Sequence, residues 1–592
     1  MFDRDRLQGD LERLSSAADS ADDLTTELRE LGLHFLVETR EDQGLDDVRA
    51  AFRRVSVRFE VRPLFDPKAL GLPDGGCTPC PLVGRHHVAT LTGLAIDDWS
   101  QSPFDLAAEL REAEGFVSVD PDIPIVLPAD AEDPELEGEV MEPGEIDFAW
   151  ALNEMRVGQA WRAMTRRPGE GMLIGHPDTG WAEHVEWGPD QRRGLDPDRG
   201  YNFLENEKDS RDRFIRRGHF ARPGHGMVTA CLMVCRGGLK EDGSGTTPPG
   251  RVTGVAPHAV NIPLRCINSV FVVRGTEVLT AILYATELRC HVISLSLGGL
   301  KYFFHPWFHS AVKWAVENHC LVMAAAGHTV PGKFIVDPAG YPECLAVAAV
   351  ERDGVFWEDC SRELPNRPER LDIATPGVGI ALATRSQHDE PRDLYRVSKG
   401  TSFATAHLAG VAAAWRSEHF ADGYDGEVSL QYVFREHLRR TARRPGTGWK
   451  PEYGPGIVDL EQLIKTPPPT ESETPVAGGR DDDLVRSLAT ALEAESLDEV
   501  GALLGEVLLG SSGPVASEAL TLALEVCGSE IAHLVHADDA LRNELASLLP
   551  VFSGEDGEER ATAAVRARAL LSAAGSRSLG GTLADAATRS YS

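Results

Sequence analysis

Hydrophobic and polar positions change period several times along the chain, and each change predicts a different kind of element. Leu7, Leu11 and Leu14, then Leu24, Leu28 and Leu31, recur at helical spacing and predict amphipathic helices at the start. Residues 33–37 are a short apolar run, 46–52 return to a helical period, and 55–61 alternate, so strand, helix and strand are expected in turn. A Gly-, Pro- and Cys-rich loop then leads to a strand over 88–96, a helix near 104–113 and a strand over 116–119. That order, β-α-β-β-α-β, is the split βαβ pattern of a ferredoxin-like α+β fold. The pattern itself implies no function.

Further along, apolar runs of strand length alternate with helical stretches such as 309–318, which predicts a mostly parallel sheet with helices on both faces. The last part of the chain is helical throughout. Leu484, Leu488 and Leu492 mark one helix, and Leu497, Val500, Leu504 and Val507 a second. Others follow over 515–526, 531–535, 541–549 and 561–573, and their short links suggest an antiparallel bundle. Residues beyond Ser576 read as disordered. Two stretches break the pattern. Residues 129–145 are strongly acidic and contain Pro134 and Pro143, a solvated linker open to cutting. Residues 467–482 contain a triple proline and Gly478-Gly479, a second linker. The expected organisation is therefore N-terminal helices with a ferredoxin-like unit over 1–128, a sheet-and-helix unit over 146–466, and an all-α unit over 483–592.

Composition narrows the functional classes. A chain of 592 residues exceeds one domain, and its 42% hydrophobic content allows large cores. The formal net charge of −33 repels phosphates and argues against nucleic acid as a partner. No apolar run reaches the roughly 18–20 residues needed to span a bilayer. The first residues lack the layout of a secretory signal, and ten cysteines, several inside apolar segments, read as reduced and buried. A cytoplasmic protein is expected.

Four stretches carry candidate chemistry. Cys77-Thr-Pro-Cys80 is followed by His86-His87, so Cys77, Cys80 and His86 are candidate zinc ligands, at a spacing that fits no standard site; the alternatives are an ordinary loop or a redox-sensitive pair. A buried strand ends in Asp178-Thr-Gly180, and open α/β sheets place functional groups at such strand ends. His225 lies between Gly224 and Gly226, which permit close approach to its ring. Ser402, in Lys399-Gly-Thr-Ser-Phe-Ala-Thr-Ala-His-Leu-Ala-Gly410, heads a helix of small residues, where developing negative charge is favoured. Singly, these read as a turn aspartate, a structural histidine and an N-cap serine.

Together, Asp178, His225 and Ser402 give an acid, a base and a nucleophile in the order found in subtilisin. The region resembles the subtilisin-like serine proteases (subtilases, peptidase family S8). Gly254-Val-Ala-Pro-His-Ala259, His291-Val-Ile-Ser-Leu-Ser-Leu-Gly-Gly299, Tyr341-Pro342 and Leu371-Asp-Ile-Ala-Thr-Pro-Gly377 add to the likeness. The resemblance implies a subtilisin-like sheet, a catalytic triad, and an oxyanion hole using the Ser402 N–H. It also implies a substrate edge along Ser296, Leu297, Gly298 and Gly299, pairing with extended peptide. Ala325, Ala326 and Gly327 would wall the first subsite, with room for a large apolar side chain.

Two positions depart from the family. His328 stands where the family has the oxyanion asparagine, and Ala406 where it has a proline. Imidazole N–H is also a donor. The reading is thus a gated serine endopeptidase acting on protein or peptide through an acyl-enzyme. The alternative is a pseudo-protease that binds extended peptide without cutting it. No cofactor is required by such a triad, and no loop has calcium-ligand spacing. The front unit resembles a subtilase pro-domain, implying inhibition in cis until the acidic linker is cut, and the tail is a place for a regulatory partner.

Overall fold

Alternation along single strands decides how the front unit is built. The computed structural model describes residues 33–73, 77–91, 103–122, 140–215, 221–237, 251–270, 275–299, 306–328, 333–363, 370–446 and 448–474, with 492, 497–509, 531, 534–535, 539–552, 557–575, 579 and 583. Strand β1 (Leu33–Glu38), helix α1 (Leu45–Val55), β2 (Phe59–Pro63), β3 (His86–Leu91), α2 (Pro103–Glu114) and β4 (Ser118–Asp122) follow in the expected order. The sheet order is β2-β3-β1-β4, antiparallel throughout. β2 starts later than the sequence pattern suggests because α1 runs to Val55; Asp46 and Asp47 open that helix and Arg53 and Arg54 close it, signs that suit its dipole. Phe35, Val37, Ala89 and Leu91 turn toward α1 and α2 in a core of their own. Leu36 and Val88, on the other face, join the larger core of the unit that follows. The sheet is therefore buried on both sides.

The main unit has seven strands: β5 (Leu173–Asp178), β6 (Tyr201–Asn202), β7 (Val260–Arg265), β8 (Val292–Leu295), β9 (Leu321–Ala325), β10 (Leu345–Val350) and β11 (Ile373–Pro376). Their order is β11-β10-β9-β8-β5-β7-β6, all parallel. β8, β9 and β10 are buried at every position, as a parallel sheet covered on both faces requires. From β5 the chain builds first toward β7 and then, on the other side, toward β8, so the reversal of strand order falls beside β5. Ligand sites in open sheets form at such reversals. Helices α3 (His225–Val234) and α6 (Thr401–His419) pack together on the sheet; α4 (Thr276–Glu287) and α5 (Pro306–Glu317) pair elsewhere on it. A hairpin of β12 (Val378–Thr384) and β13 (Leu394–Lys399) precedes α6.

The front unit docks on α4 and α5. Asp122 accepts from the Thr276 hydroxyl, Cys77 Sγ donates to the Thr286 carbonyl at 3.3 Å, and Trp314 Nε1 donates to the Thr78 carbonyl at 3.1 Å. In the tail, α7 (Leu497–Leu504), α8 (Asp539–Phe552) and α9 (Gly557–Ala574) share a separate core that includes Val500, Leu504, Leu545, Leu549 and Leu571. Leu579 and Leu583 are buried in it too, so packing extends beyond Ser576, where the sequence suggested disorder. The helices expected around Leu7 to Leu31, near Leu484 and Leu488 and over 515–526, and residues 129–139, lie outside the described residues. No helix among the described residues is long and apolar enough to cross a membrane.

Candidate active site

The C-terminal edge of the main sheet gathers the chemistry because neighbouring parallel strands end there together. β5 ends on Asp178, β8 runs into Ser296, and β9 runs into Gly327 and His328. α3 begins at His225 and α6 at Thr401, with Ser402 in its first turn. First-turn N–H groups have no partner within their helix and point outward.

Asp178 and His225 are in direct contact. His225 Nδ1 lies 2.9 and 3.0 Å from the two carboxylate oxygens, and the Thr179 N–H donates to Oδ1 at 2.6 Å. Complete burial alone would push the Asp178 carboxyl up; the charge of His225 and donors on His176 and His225 outweigh it and hold the group well below the usual carboxylate range. Asp212, also buried, accepts the Gly224 N–H at 2.7 Å and the Phe214 N–H at 2.6 Å, fixing the turn from which His225 projects. Gly224 has φ +82, and a Cβ there would meet the Arg385 carbonyl oxygen at 1.9 Å, so glycine is required before the histidine.

Ser402 and Ser296 are tied reciprocally: Ser402 Oγ donates to the Ser296 carbonyl at 3.1 Å, and Ser296 Oγ donates to the Ser402 carbonyl at 2.9 Å. His328 Nδ1 lies 3.0 Å from Thr401 Oγ1 and accepts the Thr401 N–H at 3.5 Å, which leaves its ring proton on Nε2. Trp357 packs on the same ring, 4.9 Å between centroids.

The expected substrate edge is only half available. Gly299 exchanges both main-chain hydrogen bonds with Asp337, at 3.0 and 3.2 Å, so it faces the edge away from Ser402. Backbone groups alternate sides along a strand, which leaves Ser296 and Gly298 on the nucleophile's side and places Leu297 with Gly299. The Gly298 N–H already donates to the Val270 carbonyl at 3.1 Å. The first-subsite wall is also narrower than expected. A Cβ at Gly298 would meet Val336 Cγ2 at 2.7 Å, and one at Gly327 would meet Val336 Cγ1 at 2.9 Å, so Val336 stands between the two glycines. Ala325 and Ala326 are buried beside them.

The zinc candidates have other partners. Among the described residues no group of three or more His, Cys, Asp or Glu is arranged to hold a metal. Strand alternation turns His86 toward Trp307, 4.6 Å between ring centroids, and toward Glu38, with Nε2 3.9 Å from its carboxylate. Burial pushes the Cys80 thiol up to about 12 and raises Cys77, disfavouring the thiolate that zinc needs.

The match to known proteins follows this geometry. The subtilase family model matches residues 169–456. This region belongs to the subtilase family. The subtilase domain is 30% identical to the intracellular serine protease of Paenibacillus polymyxa over 190 residues, which is 32% of this chain and 55% of that one. It is 32% identical to the major intracellular serine protease of Bacillus subtilis over 200 residues, 32% of this chain and 57% of that one. The chain thus spans about half the length of these curated relatives. The crystal structure of fervidolysin from Fervidobacterium pennivorans aligns with a TM-score of 0.49 and 19% identity, over 74% of this chain and 61% of that one.

Sequence reasoning overlooked His176 and Thr229 in the subtilase domain. His176 Nε2 lies 3.4 Å from Asp178 Oδ2 and 3.1 Å from Thr229 Oγ1. The signal was present: strand residues two apart share a face, as do helix residues four apart.

Proposed function

We propose that the chain is a serine endopeptidase in which Ser402 attacks the peptide carbonyl, His225 takes and returns the proton, and Asp178 orients the imidazole. The contact of Asp178 with His225 at 2.9 Å, beside a serine at the head of a buried helix, carries this reading. In the resting arrangement the Ser402 proton is directed at the Ser296 carbonyl, so attack begins with rotation of the hydroxyl toward His225. The acyl-enzyme forms as the leaving amine takes the proton from His225, and water reverses the sequence. The Ser402 N–H and His328 Nε2–H serve as oxyanion donors. Side-chain and main-chain groups of the chain supply every role, so the reaction as proposed uses no cofactor; calcium is left unassigned.

An extended peptide pairs along Ser296 and Gly298, and it must displace Val270 to do so. The front unit, docked on α4 and α5, acts as the inhibitory segment. The separate core of the tail suits a module that docks a regulatory partner. Every described cysteine is a free thiol, which supports a reducing, cytoplasmic compartment.

The test is labelling by a fluorophosphonate probe, comparing the natural chain with Ser402→Ala. Labelling that disappears in the variant is expected. A folded natural chain that never reacts favours the second reading, a peptide-binding pseudo-protease, for which the Ser402–Ser296 bond and His328 are the supporting observations.

A further inference from the structure

Asp178 has two histidine neighbours, and the proton relay uses only one. His176 and Asp178 project from the same side of β5, and His225 and Thr229 stand one turn apart on α3. Where strand and helix meet, the four side chains form two rungs. Asp178 faces His225, and behind them His176 faces Thr229. His176 is 1% exposed and Thr229 fully buried, so water does not compete for these contacts.

Thr229 has one hydroxyl proton to give. The nearest of its acceptors is the His225 carbonyl at 3.0 Å, the ordinary bond of a helical threonine to the preceding turn, ahead of the Gly226 carbonyl at 3.4 Å and Asp178 Oδ2 at 3.5 Å. What Oγ1 then offers His176 Nε2 at 3.1 Å is a lone pair, and Asp178 Oδ2 at 3.4 Å offers lone pairs only. Two acceptors face one ring nitrogen. Nε2 therefore carries a hydrogen and shares it between them.

We propose that His176 is a positioning residue of the hydrolytic site: its Nε2–H, held by Thr229, donates to the outer oxygen of Asp178 and sets both the angle of that carboxylate and its pull on His225. The proposal rests on the triad reading above. A carboxylate that shares its charge with a second donor stabilises the His225 imidazolium less. Its base form is then reached at lower pH. Other groups near the pair act elsewhere. From β7, Arg265 donates to the Thr179 carbonyl at 3.0 Å, and the Cys266 N–H donates to the Asp178 carbonyl at 3.0 Å. Asp212 binds the main chain ahead of α3, and Ser402 on α6 donates to Ser296. Only Thr179, His176 and His225, with a longer Thr229 contact of 3.5 Å, are recorded on the carboxylate among the described residues.

The experiment is the pH dependence of the second-order fluorophosphonate labelling rate, on the full chain and, where needed, after cutting within 129–145. His176→Phe keeps the ring volume and removes the donor, whereas His176→Gln keeps an N–H. The acid limb of the Phe variant is expected to move up by about half to one pH unit, and that of the Gln variant to return most of the way. A thermal midpoint taken on each protein separates folding from ionisation. A folded Phe variant whose limb coincides with that of the natural chain, or whose rate falls equally at all pH values, overturns the assignment. If Phe does not fold, Thr229→Val reads the same contact with the opposite sign. Losing the competing acceptor turns Nε2–H wholly to Asp178, the limb moves down by a few tenths, and an unmoved limb overturns the assignment. A natural chain that does not label at any pH instead overturns the protease reading, an outcome distinct from labelling with coincident limbs.

Discussion

In the proposed mechanism His328 is the one side chain that donates to the oxyanion. Its Nδ1 is occupied by Thr401, and Trp357 limits how the ring can tilt, so the remaining Nε2–H is a donor of fixed direction beside the head of α6. A preorganised donor is worth more than a mobile one because it costs no reorganisation when charge develops. His328→Ala is expected to slow acylation by about 10²–10³-fold, roughly 2.7–4 kcal/mol, with peptide binding little changed. Stopped-flow acylation against equilibrium binding in the Ser402→Ala background checks this; equal rates would remove His328 from the hole. At this scale the sequence was informative where a residue type is demanded by its chemistry. Asp178, His225 and Ser402 stood out as a set rather than singly, and His328 only through the family resemblance. Cys77, Cys80 and His86 form no metal-holding group among the described residues because nearness in sequence is not nearness in space: β3 directs His86 to Glu38 and Trp307. The Val270–Gly298 bond was illegible because it joins two loops that only the completed sheet brings together.

Elements explain why the front unit could be read so fully from its pattern. Period-two strands and period-3.6 helices fixed its order, and only boundaries moved, as when α1 took the start of the expected second strand. The pattern was silent on the cost of one inward position. His87, on β3, is 2% exposed, and neither ring nitrogen has a hydrogen-bond partner. Burial, with a smaller effect of Arg49, lowers its folded value to about 4. Because the folded value lies below the unfolded one, the unfolded chain binds the proton first as pH falls. Stability is therefore intact above about 6.5 and lost progressively down to about 4, by about 2–3 kcal/mol. Hydrogen exchange on β1 and β3 should quicken across that window, and His87→Phe should flatten the response. A front unit equally protected at pH 7 and pH 4.5 would contradict it.

At the scale of the whole molecule, the question is how the front unit and the subtilase domain stay together in one chain. The front unit buries Leu36, Leu64, Phe65 and Val88 against the main core, so the contact does not depend on the linker alone. His34 Nδ1, 4.0 Å from the Glu277 carboxylate, and the Thr78 contacts to Trp314 and Asn318 add polar specificity. Past the acidic segment, the chain meets the subtilase domain at a single antiparallel bridge: Val140 pairs with Arg396, and the Met141 N–H donates to the Tyr395 carbonyl at 3.1 Å. Both ends of the linker are thus anchored, and a cut between them leaves two docked pieces. While the chain is intact, docking is intramolecular, with an effective concentration that for short flexible linkers is about millimolar. Cutting makes it bimolecular, so release then depends on dilution. Fluorophosphonate labelling of cut protein should rise as its concentration falls from micromolar to nanomolar, whereas intact protein should label slowly and independently of concentration. Equal, concentration-independent labelling of both would show that the docked front unit does not govern access to Ser402.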